Sequence, residues 1–323
     1  MKKILYTLLI VAIVASGATI YLANLLLETA VNPEFDRRHD IAGCYDEVYT
    51  NHPEMRAWHD SLVTLGRWRD TTLVASDGLR RHGIILQHDS AATGATVMLH
   101  GHNDNAVRMM RYAFLHYEML GRNVVLPDHF GHGESEGDHI RFAWLDRKDI
   151  ANLWIPATHQ LWPDEDIVVH GLSMGGAMTM YTSGEPIADE MRVVGFIEDC
   201  GYSSIWDQLA FQLDETFGFP PFPLLYVADW LCHYKYGWSF TEGETNRQLA
   251  KCERPMLFIH GNADSYVPSS MLMQNFEAKT EGYKELWIAE GSDHAETISD
   301  HWEEYCQRCQ DYIERIESMA QAQ

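Results

Sequence analysis

The sequence predicts an α/β protein: a mainly parallel, doubly wound sheet covered by helices on both faces. Three observations lead there. Short apolar runs, several rich in β-branched residues, alternate with stretches of helical spacing. Most of these runs end in a polar, glycine-rich stretch, and open α/β sheets place their sites at strand ends. One interval, 201–251, breaks the alternation and is dense in aromatics and proline. The 323 residues are 46% hydrophobic and 22% charged, which suits one large α/β core plus an N-terminal segment.

Segment 1–27 stands apart. Lys2 and Lys3 precede an uncharged, apolar run from Ile4 to Leu27, which Glu28 ends. A helix of about 24 residues spans roughly 36 Å, enough to cross a bilayer. The competing reading is a cleaved signal peptide, with Ile4–Val14 as its apolar region and Ala15-Ser16-Gly17 as its cleavage site. That cut would leave ATIYLANLLL as a greasy new N-terminus, so an uncleaved anchor is the preferred reading. With the lysines held in the cytoplasm, either reading places the body outside it. Segment 28–70 is polar and rich in helix formers, and reads as a linker with one or two helices packed on the body.

The α/β domain occupies 71–323. TTLVAS and GLRRHGIILQH read as a hairpin turning at Ser76-Asp77-Gly78. ATVMLHG, NVVLPDH, DIVVHGLS, VVGFIEDC, PMLFIHG and KELWIAE are the remaining strand candidates. Helical spacing marks Asn105–Leu120, Asp149–Trp162 and the residues from Met174 onward. The interval 201–251, with FGFPPFPLLYVADWL and HYKYGW, is expected to form a small helical cap over the site.

Charge and cysteine content bound the function. The net charge of −23 argues against nucleic-acid binding, which draws most of its affinity from basic patches. It also disfavours adhesion of the body to anionic lipid. Six cysteines are present, and an exported body permits disulfides whose pairing the sequence does not choose. Cys306-Gln-Arg-Cys309 has the spacing of a redox or metal pair, but it lies in a helix-like C-terminus without a second pair.

The chemistry is read from the strand ends. Gly171-x-Ser173-x-Gly175 follows a strand and opens a helix. Such a strained turn exposes a serine hydroxyl, and the helix N-terminus behind it favours developing negative charge. A serine needs a base, and the base an orienting acid. Asp264 and His294 follow in order, each just past a strand. Asp199 is the rival acid and His301 the rival base. The backbone N–H groups of Met174 and His102 are the expected oxyanion donors, with Asn103 as alternative to His102. Asp128 and Gly131-His132-Gly133 read as structural. His100, His102, His129 and His132 sit on separate loops and match no metal-ligand spacing, so no metal and no cofactor are expected.

Taken together, HGHNDN, DHFGHGESEGDHI, GLSMGGAM, HGNADSYVP and GSDHAET resemble the α/β-hydrolase superfamily over residues 70–318. The chain is similar to membrane-anchored bacterial hydrolases of the esterase and serine-aminopeptidase kind. The resemblance implies a Ser173–His294–Asp264 triad, an oxyanion hole from the 102 and 174 amides, and a cap between the sixth and seventh core strands. The chain departs from the pattern at HIRFAWLDRKD, which reshapes the expected pocket edge. The implied activity is a serine hydrolase of carboxylic esters, with a small ester or short peptide as substrate. Peptidase, amidase and acyl-transfer chemistry share the machinery. A non-catalytic, membrane-tethered binding protein is the alternative from another class. Dehalogenase and epoxide-hydrolase chemistry would need an aspartate in place of Ser173.

Overall fold

The computed structural model describes residues 2–32, 39–88 and 92–322. Eight strands form one sheet: β1 (Trp68–Val74), β2 (Arg80–Leu86), β3 (Ala95–Leu99), β4 (Asn123–Pro127), β5 (Ile167–Leu172), β6 (Val193–Asp199), β7 (Met256–Gly261) and β8 (Lys284–Ala289). Their order is β1-β2-β4-β3-β5-β6-β7-β8, with β2 antiparallel to both neighbours and β3 to β8 mutually parallel. Every strand expected from the sequence is present.

Burial follows position in the sheet. β3, β4, β5 and β7 are buried along their whole length, as unbroken apolar runs require when both faces are covered. The edge strand β1, WRDTTLV, is largely exposed, and its polar side chains blunt the open edge. The β1–β2 turn uses Gly78 at φ 82°, and the Asp77 carboxylate accepts from the Leu79 N–H.

Helices cover both faces. Preceding the sheet are α1 (Lys2–Val31), α2 (Ile41–Asn51) and α3 (Glu54–Thr64). The β3–β4 crossover carries α4 (Met110–Phe114); the β4–β5 crossover carries α5 (Arg147–Asp149) and α6 (Ile155–Leu161). α7 (Met174–Ser183) leads from β5 toward β6. Between β6 and β7 come α8 (Ile205–Phe217), α9 (Leu224–Tyr236) and α10 (Thr245–Leu249). α11 (Ser269–Ala278), α12 (Thr297–Asp300) and α13 (Trp302–Gln321) complete the chain. α13 buries Tyr305, Cys309, Tyr312 and Ile316 against the sheet, a stripe of three- and four-residue spacing.

Several features differ from the sequence expectation. Helix α1 does not end near Leu27 but continues to Val31, and its face Ala23, Leu27, Val31 is buried in the body. Residues 2–18 are exposed, and Ala15-Ser16-Gly17 lies inside the continuous helix. Of the expected linker, residues 33–38 lie outside the described residues. The segment expected as one helix over 105–120 divides into a 3-10 turn (Ala106–Met109), α4 and a π turn (Leu115–Met119). The 149–162 segment likewise contains a π turn, Ile150–Trp154, just before Pro156, whose missing N–H breaks the α-helical ladder. All six cysteines are buried thiols, so no disulfide staples the body. Cys306 and Cys309 point into the core, and burial pushes the Cys306 thiol up to about 11.

Candidate active site

The chain leaves β4 and crosses over to β5 on the far side of β3, so the carboxyl ends of β3 and β5 form the switch point of the sheet. Ser173 stands there, between β5 and α7, at φ 56° and ψ −116°. This is a strained conformation for any residue with a Cβ. The flanking glycines make it possible: a Cβ on Gly171 would lie 2.0 Å from the Gly175 carbonyl oxygen, and one on Gly175 would lie 2.0 Å from that of Leu99. The Ser173 N–H donates to the Asp199 carbonyl (2.7 Å), and the Ser173 carbonyl accepts from Ala177 (3.0 Å), locking the turn.

Ser173 Oγ lies 2.8 Å from His294 Nε2, and His294 Nδ1 lies 2.8 Å from Asp264 Oδ2. A carboxylate only accepts, so Nδ1 carries the imidazole proton and Nε2 is left to accept from the serine hydroxyl. Asp264 is held from several sides. Its Oδ1 accepts from the N–H groups of Tyr266 (2.9 Å) and Val267 (2.7 Å). His260 Nε2–H is shared between the Val267 carbonyl (2.8 Å) and Asp264 Oδ2 (3.2 Å). Burial by itself would raise this carboxyl, but the hydrogen bonds from His260, His294 and Val267 outweigh it and hold Asp264 well below the usual carboxylate range.

The rivals fall elsewhere. Asp199 Oδ2 accepts from Tyr305 (2.9 Å) and Tyr112 (3.4 Å), and burial pushes it up to about 6. His301 sits between α12 and α13 rather than within the final helix, with Nε2 donating to the Glu290 carbonyl (3.1 Å).

For the expected oxyanion donors, Met174 begins α7, and the 101–102 backbone passes beside the serine. A Cβ on Gly101 would lie 3.5 Å from Ser173 Cβ. Asn103 adopts φ 59° one residue further along. The His102 ring stacks on Phe142 (5.3 Å between centroids) and its Nε2 lies 3.4 Å from the Ala30 carbonyl at the end of α1. The divergent HIRFAWLDRKD segment, which supplies Phe142, is thus placed against the loop that carries His102. Its Ile140 N–H donates to the Val31 carbonyl at 2.7 Å.

The remaining strand-end residues shape loops. Asp128 accepts from Ala106 N–H, Glu134 N–H and His82 Nδ1, and a Cβ on Gly133 would collide with its carboxylate at 2.1 Å. His100 and His129 stack at 3.7 Å, and His100, His129 and His132 each bond a backbone carbonyl.

Four participants are not apparent from the sequence. Asp293 accepts from the His294 and Ser265 N–H groups, fixing the base loop. The Tyr266 ring lies 5.0 Å from that of His294. Ligand atoms of Cys200, Asp264 and His294 lie within 4.8 Å of one another; burial drives the Cys200 thiol well above its usual range, so it is neutral. Ala30, whose carbonyl meets the His102 ring, lies in the segment that the sequence marks only as linker. The i,i+4 spacing of His260 and Asp264 was the one legible hint of the acid's second donor.

Residues 90–198 match the serine aminopeptidase S33 family. The chain is 26% identical to the uncharacterized protein YqkD of Bacillus subtilis (strain 168) over 98% of both chains. Among solved structures it is similar to a Pyrococcus furiosus esterase, Pf2001 (TM-score 0.62, 18% identity, 77% of this chain and 91% of that one). It is also similar to a bacterial membrane phospholipase A (TM-score 0.56, 17% identity), over 98% of this chain and 99% of the other. Sheet order and connectivity, with these structural likenesses, show the α/β-hydrolase fold.

Proposed function

We propose that the protein is a serine hydrolase of carboxylic esters. The observation that carries this reading is the hydrogen-bonded series Ser173 Oγ, His294 Nε2, His294 Nδ1, Asp264 Oδ2, with both distances 2.8 Å, ending on a serine in a strained elbow. Ser173 Oγ attacks the ester carbonyl as its proton passes to His294 Nε2. The Met174 and His102 amides receive the oxyanion. His294 returns the proton to the departing alkoxide, leaving an acyl-serine. A water, deprotonated by His294, then releases the acid and restores Ser173. Asp264, ionised at neutral pH, stabilises the imidazolium formed in each half. Peptide bonds, or an alcohol in place of water, would use the same groups.

In this reading α1 anchors the protein, since it is long and apolar enough to cross a membrane. Lys2 and Lys3 lie on the cytoplasmic side, and the domain that follows lies beyond it. The cap is 201–251.

Labelling of the full chain with a fluorophosphonate tests the assignment. The parent is expected to label and Ser173→Ala not to. A folded parent that stays unlabelled, or equal labelling of both, overturns it and favours the tethered binding protein.

A further inference from the structure

An apolar cavity of about 190 Å³ lies between α1 and the cap. Leu26, Leu27 and Ala30 wall it on the α1 side; Leu213, Leu225 and Ala228 wall it on the cap side. Cavities of about 150 Å³ lined by such residues stay dry and take up benzene-sized apolar groups. Its position relative to Ser173 is given by two links. On one side, the Ala30 carbonyl touches the His102 ring, on the loop that passes Ser173. On the other, Gln212, which lines the cavity, donates to the Tyr266 carbonyl (2.8 Å), and the Tyr266 ring lies against His294. One residue, Ala30, therefore separates the cavity from the His102 loop, and two, Gln212 and Tyr266, separate it from His294.

The surroundings indicate where a ligand would come from. Beyond the cavity α1 is exposed through residues 2–18 and apolar from Ile4 onward. Helix α9 lies along the last turns of α1, with Lys235 Nζ on Asn24 Oδ1 (2.6 Å) and paired with Glu28. The outer face of α9 carries Tyr226, Trp230 and Tyr234, four residues apart and 56%, 60% and 77% exposed. Phe222 extends the row at 72%. Tyrosine and tryptophan concentrate where a membrane meets water. A row of them beside a spanning helix seats the cap in the headgroup layer.

We propose that this cavity is the acyl-chain chamber of the Ser173 site, walled on one side by the membrane helix itself, and that its occupant is the acyl chain of a bilayer lipid ester. The substrate class rests on the ester-hydrolase reading above; the chamber as a lipid site does not. The lower turns of α1 thus serve as a substrate wall as well as an anchor. A lipid moving along α1 under the aromatic row would bring its chain into the cavity and its ester to Ser173.

Two measurements on the full chain in phosphatidylcholine vesicles test this. First, the Ser173→Ala variant is irradiated with palmitate carrying a diazirine at its last carbon, a probe that needs no turnover. Adducts are expected on peptides spanning 209–228 and on the 26–30 turns of α1. Adducts confined to residues 4–21 of α1 would overturn the chamber. Second, Thr216→Trp, at the exposed rim, and Ala228→Phe, inside, are assayed with p-nitrophenyl dodecanoate and acetate. The ratio of kcat/KM for dodecanoate to that for acetate should fall at least tenfold in each. An unchanged ratio overturns the inference and leaves the ester reading standing. If the parent turns over neither ester while the cross-links still map to the cavity, the ester reading fails and the lipid chamber stands.

Discussion

Two hydrogen-bonded chains made of the same groups run through this molecule. One is Ser173–His294–Asp264 at the carboxyl edge of the sheet. The other is buried: Arg122 Nε donates to Thr96 Oγ1, Thr96 to His116 Nδ1, His116 Nε2 to His170 Nδ1, His170 Nε2 to Tyr305, and Tyr305 to Asp199. The first four of these bonds are each 3.0 Å. Both chains join a carboxylate, imidazole and a hydroxyl, yet their chemistry differs. The buried chain is closed at both ends, by Arg122 with its partner Glu317 and by Asp199. Its members Thr96, His116, His170 and Asp199 have no exposed surface. The first chain ends on a partly exposed hydroxyl that a strained turn presents. The acids differ too. Asp264 collects enough donors to overcome burial, whereas burial dominates at Asp199. A hydrogen-bonded relay therefore does not make a nucleophile. In the proposed reading, an accessible end and an acid kept ionised do.

The strongest way to break this comparison is to exchange the acids for amides. Asp264→Asn should lower kcat by about 10⁴, because it favours the wrong His294 tautomer. Asp199→Asn should stay within about tenfold, or 1.4 kcal/mol. Single-turnover ester cleavage measures both, and equal losses would merge the two chains into one machine. A smaller effect is expected from Tyr305→Phe. It leaves His170 and Asp199 without their shared partner and should cost about 3 kcal/mol of stability. Denaturant titration reads that loss, while turnover per folded molecule is expected to hold.

The smallest effect concerns pH. Burial pushes His170 down to about 3, so the folded protein refuses a proton that the unfolded chain takes up below about pH 6.5. Stability is therefore lost as pH falls through that window. Between pH 7 and pH 5 the parent should lose about 2 kcal/mol more than His170→Gln. Asp199 has the opposite sign: its raised carboxyl favours the folded state at low pH, and that contribution is lost as pH rises through about 6. An acid limb of equal slope in parent and variant would mean that His170 is protonated inside the fold.

Much of this was legible in the chain. Buried parallel strands are unbroken apolar runs, so β3 to β7 announce themselves, and their glycine-rich ends mark the edge where Ser173, Asp264 and His294 meet. The buried chain was not legible. Thr96, His116, His170, Asp199 and Tyr305 lie on five separate elements, and no spacing in the sequence links them. Nor was the reach of α1 past Leu27. An apolar run carries no sign of where lipid ends and protein contact begins, so Ala23 and Leu27 read as more of the anchor and Val31 as linker. The broken helix over Ala106–Met119 is not legible either, because helical spacing does not distinguish α from π turns.

The positions of the strands along the chain and the turn at Ser173 were determined by the sequence alone, because each depends on local backbone needs or on unbroken hydrophobic runs. The tertiary structure decided which acid faces His294, that His116 and His170 join one buried series, and that helix α1 closes an apolar cavity with α8 and α9. Those outcomes depend on distances between residues far apart in the chain, and only packing sets them.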